Sequence, residues 1–208
     1  MKRVKILSMP RSGSNWLLGL MALNLSYEYK TSTDDWLFWK HSMPNIETLK
    51  KCLSSSRVDN YIAILKDPYS FAYSLYNATY KNIIPDCFST HDFEFDEFLN
   101  SKIKIITNPP YSMTRGVSKR PFHYQEKNKK GNYVEFQSPL ELYSEYCNYY
   151  SFLKSELGDD FIIVSYEKGL RNEIKLLFNI RRAMDMQKKT VYRALMNIVD
   201  PGGQVHMY

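Results

Sequence analysis

The stretch SMPRSGSNWLLGL, Ser8 to Leu20, decides how the rest of the chain is read. It joins a short apolar run beginning at Val4 to a helix-like segment, and fills the junction with arginine, two serines, glycine and asparagine. A helix N-terminus presents unpaired N–H groups and the positive end of the peptide dipole, so such a junction suits an anion. Gly13 permits close approach of the backbone, Ser12, Ser14 and Asn15 offer side-chain donors, and Arg11 adds a permanent charge. Read alone, the same residues also describe an ordinary capped helix start. The Walker A pattern GxxxxGK[ST] is absent, so nothing here is spaced to hold Mg²⁺ on a β/γ-phosphate pair.

Working outward, Val4 to Met9 reads as a buried strand and Asn15 to Leu25 as a helix with apolar residues on nearly every side. Tyr29 to Thr33 is expected to be a second short strand, and Asn45 to Leu53 a helix started by Pro44. Tyr61 to Leu65 is a buried strand, and Asp67-Pro68 leads into a helix from Tyr69 to Lys81. On that helix Phe71, Leu75 and Ala78 make an apolar face, while Ser70, Ser74, Asn77 and Lys81 make a polar stripe. A short helix is expected near Phe93 to Leu99, a basic loop over Ser118 to Asn132, and a long helix from Pro139 to Leu157 ending at Gly158. Phe161 to Val164 is a third buried strand, followed by helices around Asn172 to Met184 and Lys189 to Ile198. Short apolar strands alternating with helices predict an α/β fold, with a mainly parallel central sheet covered on both faces. Ligands of such sheets bind beyond the C-terminal strand ends, where the 8–20 junction, Lys66 and Ser165 should gather.

A chain of 208 residues is expected to form a single domain, with a variable acceptor-side region at about 82–138. Hydrophobic residues at 44% and charged residues at 24% place it among globular rather than disordered proteins. The net charge of +6 favours acidic partners without choosing among them. Cys52, Cys87 and Cys147 have neither CxxC nor Cys/His spacing, which argues against a disulfide framework or a zinc site. The longest apolar run, Trp16 to Leu23, is too short to span a bilayer, and no secretory signal pattern opens the chain. A cytoplasmic protein without a membrane span is the expectation, its oligomeric state open.

A second constellation extends the first. Lys66 ends a strand, and Ser74 lies eight residues on, on the polar face of the following helix. A cation and a hydroxyl so placed can hold a second phosphate, away from the first. PRSGSNWLL resembles the 5′-phosphosulfate loop of the sulfotransferases that use 3′-phosphoadenosine 5′-phosphosulfate (PAPS), written PKSGTTWL in cytosolic members and PRSGST in others. ILKDPYSFAYSLYN resembles their 3′-phosphate motif, and FIIVSYEKGLRNE is similar to their late YEDL segment. The resemblance implies a P-loop NTPase-like three-layer sandwich, and sulfuryl transfer from PAPS to a hydroxyl or amine, with PAP as product and no metal. It implies that Arg11, Ser12, Gly13, Ser14, Asn15 and Trp16 surround the 5′-phosphosulfate, and that Lys66 and Ser74 hold the 3′-phosphate.

The family commonly carries a general base between these two motifs, and WKHSMP places Lys40, His41 and Pro44 there. His41 is the candidate base, because imidazole titrates near neutral pH. Lys40 and Arg11 are the candidates for neutralising charge on the transferring group. Trp36, Phe38 and Trp39 offer rings for a small-molecule or carbohydrate acceptor, or belong to the core. Lys66 replaces the family's usual arginine, and the C-terminal RKG segment of cytosolic members is missing; Arg115-Gly116, Lys119-Arg120 and Lys188-Lys189 are its possible substitutes. Two other readings stay open: a P-loop phosphotransferase using ATP, and a non-catalytic domain that binds a nucleotide or nucleic acid. On the favoured reading no nucleic acid is expected as partner.

Overall fold

Why Val4, Ile6 and Leu7 sit together in one strand is explained by what lies on either side of it. The computed structural model describes residues 2–9, 11–29, 43–44, 46–80, 94–107, 132–188, 198–199 and 205–206. Strand β1 (Lys2–Ser8) has β3 (Asn60–Leu65) on one side and β2 (Leu25–Tyr29) on the other, both parallel to it, and β6 (Phe161–Ser165) continues the sheet beyond β3. A two-residue strand β7 (Gln187–Lys188) adds antiparallel to β2, giving the order β6-β3-β1-β2-β7. The central sheet is therefore four parallel strands with one short antiparallel addition, as the alternating pattern predicts.

Alternate strand residues feed two separate cores. Val4, Ile6, Ile62, Ile64 and Val164 pack with helices α1 (Ser14–Asn24) and α7 (Glu173–Ala183). Leu7, Tyr61, Ala63 and Phe161 pack on the other face with α2 (Ile46–Ser54), α3 (Pro68–Tyr80), α4 (Phe95–Leu99) and α5 (Pro139–Leu157). Helices thus cover both faces, which is why these strands are apolar on both sides. Each fully buried aliphatic or aromatic side chain contributes about 1.5–3 kcal/mol of transfer free energy. Two antiparallel pairs lie apart from the main sheet: β4 (Ile103–Thr107) with β5 (Asn132–Phe136), and β8 (Ile198–Val199) with β9 (Val205–His206).

Several local expectations need correction. The second strand begins at Leu25 rather than at Tyr29, because α1 ends at Asn24 and the extended Leu25 starts the strand with no connecting loop; residues 30–33 of the expected strand lie outside the described residues. The β4–β5 pair takes in Asn132, which was expected in a loop. Ile198 lies in β8 instead of ending a helix. A six-residue helix, α6 (Tyr166–Arg171), follows β6 directly where none was expected. The long helix, by contrast, runs from Pro139 to Leu157 as read: Ser138 accepts the Glu141 N–H at 3.1 Å, proline occupies the first turn, and Gly158 ends it with φ 55. Cys52 is buried and Cys147 half-buried, both as free thiols, while Cys87 lies outside the described residues. Among the described residues no helix is long and apolar enough to cross a membrane.

Candidate functional site

Parallel pairing puts three strand ends on one edge. Ser8 of β1 is in register with Ile64 of β3, and Leu65 of β3 with Ser165 of β6. The segments leaving those ends, 9–16, 66–74 and 165–167, meet there.

The first segment is the 8–20 loop. Arg11 has φ 60 and Gly13 φ 90, so the chain enters the left-handed region twice within three residues before α1 begins. Left-handed backbone is unfavourable for a residue with a side chain, and strain of this kind concentrates at ligand sites. Leu17 N–H donates to Gly13 O at 3.1 Å, closing the first helical turn, and Gly13 supplies no side-chain cap. Ser12 is buried and donates its hydroxyl to Met9 O at 2.8 Å, so its side chain closes the loop instead of pointing outward as a donor. Ser14 is buried, whereas Arg11 and Asn15 are exposed. Trp16 lies behind the loop: its ring meets Tyr166 edge-on at 5.3 Å, and its Nε1 reaches Glu173 Oε1 at 3.4 Å. Its indole therefore holds α1 against α6 and α7.

The second segment follows β3. Lys66 Nζ donates to Ser74 Oγ at 2.6 Å, and its amine stands 5.2 Å from the centre of the Tyr166 ring. The eight-residue spacing read from the sequence is thus a direct contact. Tyr143 donates its hydroxyl to Lys66 O at 2.8 Å, pinning the backbone at the strand end. Asp67 accepts the Ser70 N–H at 2.9 Å and caps α3, with Pro68 in the first turn. Burial and the Arg11 charge push the Lys66 amine below its ordinary pKa, against the opposing pull of Glu167 and Asp67. The Asp67 carboxyl lies below its usual range: burial opposes its charge, but the Ser70 hydrogen bonds, Glu167 and the Lys66 charge outweigh that.

The third segment carries residues to which the sequence assigned no role. The Tyr166 ring fills the space a side chain at residue 13 would occupy, and a Cβ built on Gly13 overlaps it. Glu167 accepts the Asp67 N–H at 3.0 Å and the Ser165 hydroxyl at 3.4 Å, bridging the ends of β3 and β6. The signal for both was the YEKGL segment, whose strand-end position already placed it on this edge. Gly169 is needed for the same assembly, because a Cβ there would come within 2.6 Å of Trp16.

The edge thus holds two cationic side chains, Arg11 and Lys66, near enough that the charge of the first acts on the second, next to a helix N-terminus. That arrangement can bind two anionic groups on separate supports. Lys40 and His41 lie outside the described residues, as do Trp36, Phe38, Trp39, Arg115, Gly116, Lys119, Arg120 and Lys189. Lys188 is in β7, paired with Leu25. Among the described residues no group of three or more His, Cys, Asp or Glu is spaced to hold a metal ion. No protein-family model matches the chain, and comparisons with curated proteins and with solved structures return no match.

Proposed function

We propose that this chain is a sulfotransferase built on a P-loop NTPase-like frame. It moves a sulfuryl group from PAPS to a hydroxyl or amine of a small-molecule or carbohydrate acceptor. The reading is supported above all by the Lys66–Ser74 contact of 2.6 Å on the same sheet edge as the Arg11–Trp16 loop. A nucleotide with one phosphate on its 3′ side and another on its 5′ side needs two such supports. The 5′ group would lie against the N–H groups opening α1 beside Arg11, and the 3′-phosphate against Lys66 and Ser74.

His41 is assigned as general base. It takes the acceptor's proton while the acceptor oxygen or nitrogen bonds to sulfur, and the bond from sulfur to the 5′-phosphate oxygen breaks. Arg11, Lys40 and the loop N–H groups stabilise the charge that grows on that leaving oxygen, and donors already oriented for it lower the barrier. PAP then leaves, and no metal enters the scheme.

Calorimetry tests the assignment, with PAP compared against 5′-AMP and against ATP plus Mg²⁺. PAP should bind one to one and more tightly than 5′-AMP. Replacing Lys66 with Met should remove most of that difference, since a charge-assisted hydrogen bond is worth about 1.5–3 kcal/mol, or roughly 10- to 150-fold. His41→Ala should leave PAP binding intact and cut transfer to a competent acceptor by about 10² or more. A preference for ATP–Mg²⁺ would replace the reading with phosphoryl transfer, and equal affinity for PAP and 5′-AMP would end it.

A further inference from the structure

Among the described residues the sheet ends at β6, and that edge faces a cavity. Ile162 to Ser165 line one wall of a groove of about 620 Å³, and α6 and α7 form the other. Ile162, Leu176 and Ile180 give it an apolar floor, while Lys168, Arg171 and Lys175 stand along it as exposed cations. No acidic residue lines it. Among the described residues β6 pairs with β3 on one side only, and a parallel strand directs alternate N–H and C=O groups to its other side. Those outward groups are a ready template for one more strand, and protruding positive charge is how native edges are kept from pairing indiscriminately.

We propose that this groove binds an extended acidic segment of another protein, which adds to β6 as a further strand. The charge of the rim selects the occupant: an acidic strand meets opposite charge at Lys168, Arg171 and Lys175. The main-chain ladder supplies affinity, the floor receives apolar side chains, and Lys168, Arg171 and Lys175 select for Glu or Asp. The groove adjoins the candidate site at Leu65, Ser165 and Gly169 but is lined by neither Arg11, Lys66 nor Ser74, so the inference stands whether or not the sulfotransferase reading does.

Fluorescence anisotropy with a labelled seven-residue peptide alternating Glu and Val tests it, using the full chain. The peptide should bind one to one and weaken with added salt, and the Lys–Val counterpart should not bind. The double variant Lys168→Glu, Arg171→Glu alters two exposed residues and should weaken binding at least tenfold, with the thermal melt confirming that it folds. Two further peptides carry backbone N-methyl groups on one strand edge or the other. Only one of them should lose binding, which a purely electrostatic contact would not produce. Absence of saturable binding, equal binding of the Glu and Lys peptides, or equal behaviour of the two methylated peptides would overturn the proposal. So would full displacement by inorganic phosphate at the peptide's own concentration, which identifies a small-anion site.

Discussion

Gly13 carries two separate demands, and a thermodynamic cycle can separate them. Its φ of 90 is left-handed, and the space above its Cα is taken by the Tyr166 ring. Gly13→Ala therefore meets a backbone cost of about 1 kcal/mol for an L-residue in that region. It also meets an overpacking cost of about 1–3 kcal/mol, because the added methyl overlaps ring carbons rather than a flexible side-chain end. The sum, about 2–4 kcal/mol, corresponds to a fall in melting temperature of roughly 5–15 °C for a chain of this size. Tyr166→Ala alone loses the edge-on contact with Trp16 and the ring beside Lys66, and is destabilising in its own right. In the double variant the methyl has room, so only the backbone cost should remain. The two costs should then fall short of additivity by about 1–3 kcal/mol, measured by urea denaturation of all four proteins. Strict additivity would refute the overlap. A cost below about 0.5 kcal/mol for Gly13→Ala would refute both demands together.

Two further outcomes are expected. The Tyr150 hydroxyl is fully buried and has no hydrogen-bond partner among the described residues, so Tyr150→Phe should stabilise the protein by about 1 kcal/mol in urea denaturation. Asp59 accepts hydrogen bonds from the Arg3 backbone N–H at 2.7 Å and from its guanidinium at 3.1 Å, which together outweigh burial and hold the carboxyl below its ordinary pKa. A lowered folded pKa gives stability that is complete above the unfolded carboxyl value, about 4, and that is lost as pH falls through the folded value. Asp59→Asn should accordingly be less stable than the parent at pH 7, with the gap closing on acidification below about pH 4 in a melting series.

What could be read in the chain was chemistry held within a few residues. The Arg11–Trp16 loop follows a buried strand, Lys66 and Ser74 are linked by two turns of one helix, and Ser138, Pro139 and Gly158 mark both ends of α5. Each of these depends on neighbours along the chain. The β4–β5 pair does not, because Ile105 meets Val134 only through tertiary contact, and an isolated run such as Ile103–Thr107 names no partner. α6 is too short, at six residues, to show a helical period. Trp16 matched a motif position, yet its residue type could not tell a ring facing a ligand from one wedged between helices. Tyr166 and Glu167 were legible as a location and not as a role, since what they touch comes from segments far away in sequence.

That distance has a consequence for how the protein is made. Asp67 and Glu167, joined across the strand ends, are 100 residues apart, and Trp16 and Glu173 are 157 apart. A nascent chain that has emerged as far as α5 already holds the Arg11–Trp16 loop and the Lys66–Ser74 pair, but lacks the Tyr166 ring that packs against Gly13. Closing so long a loop costs entropy before any contact compensates it, and folds dominated by such contacts form slowly. The candidate site is thus complete only when β6 and α6 arrive, and a product truncated before Phe161 would lack Tyr166 and Glu167.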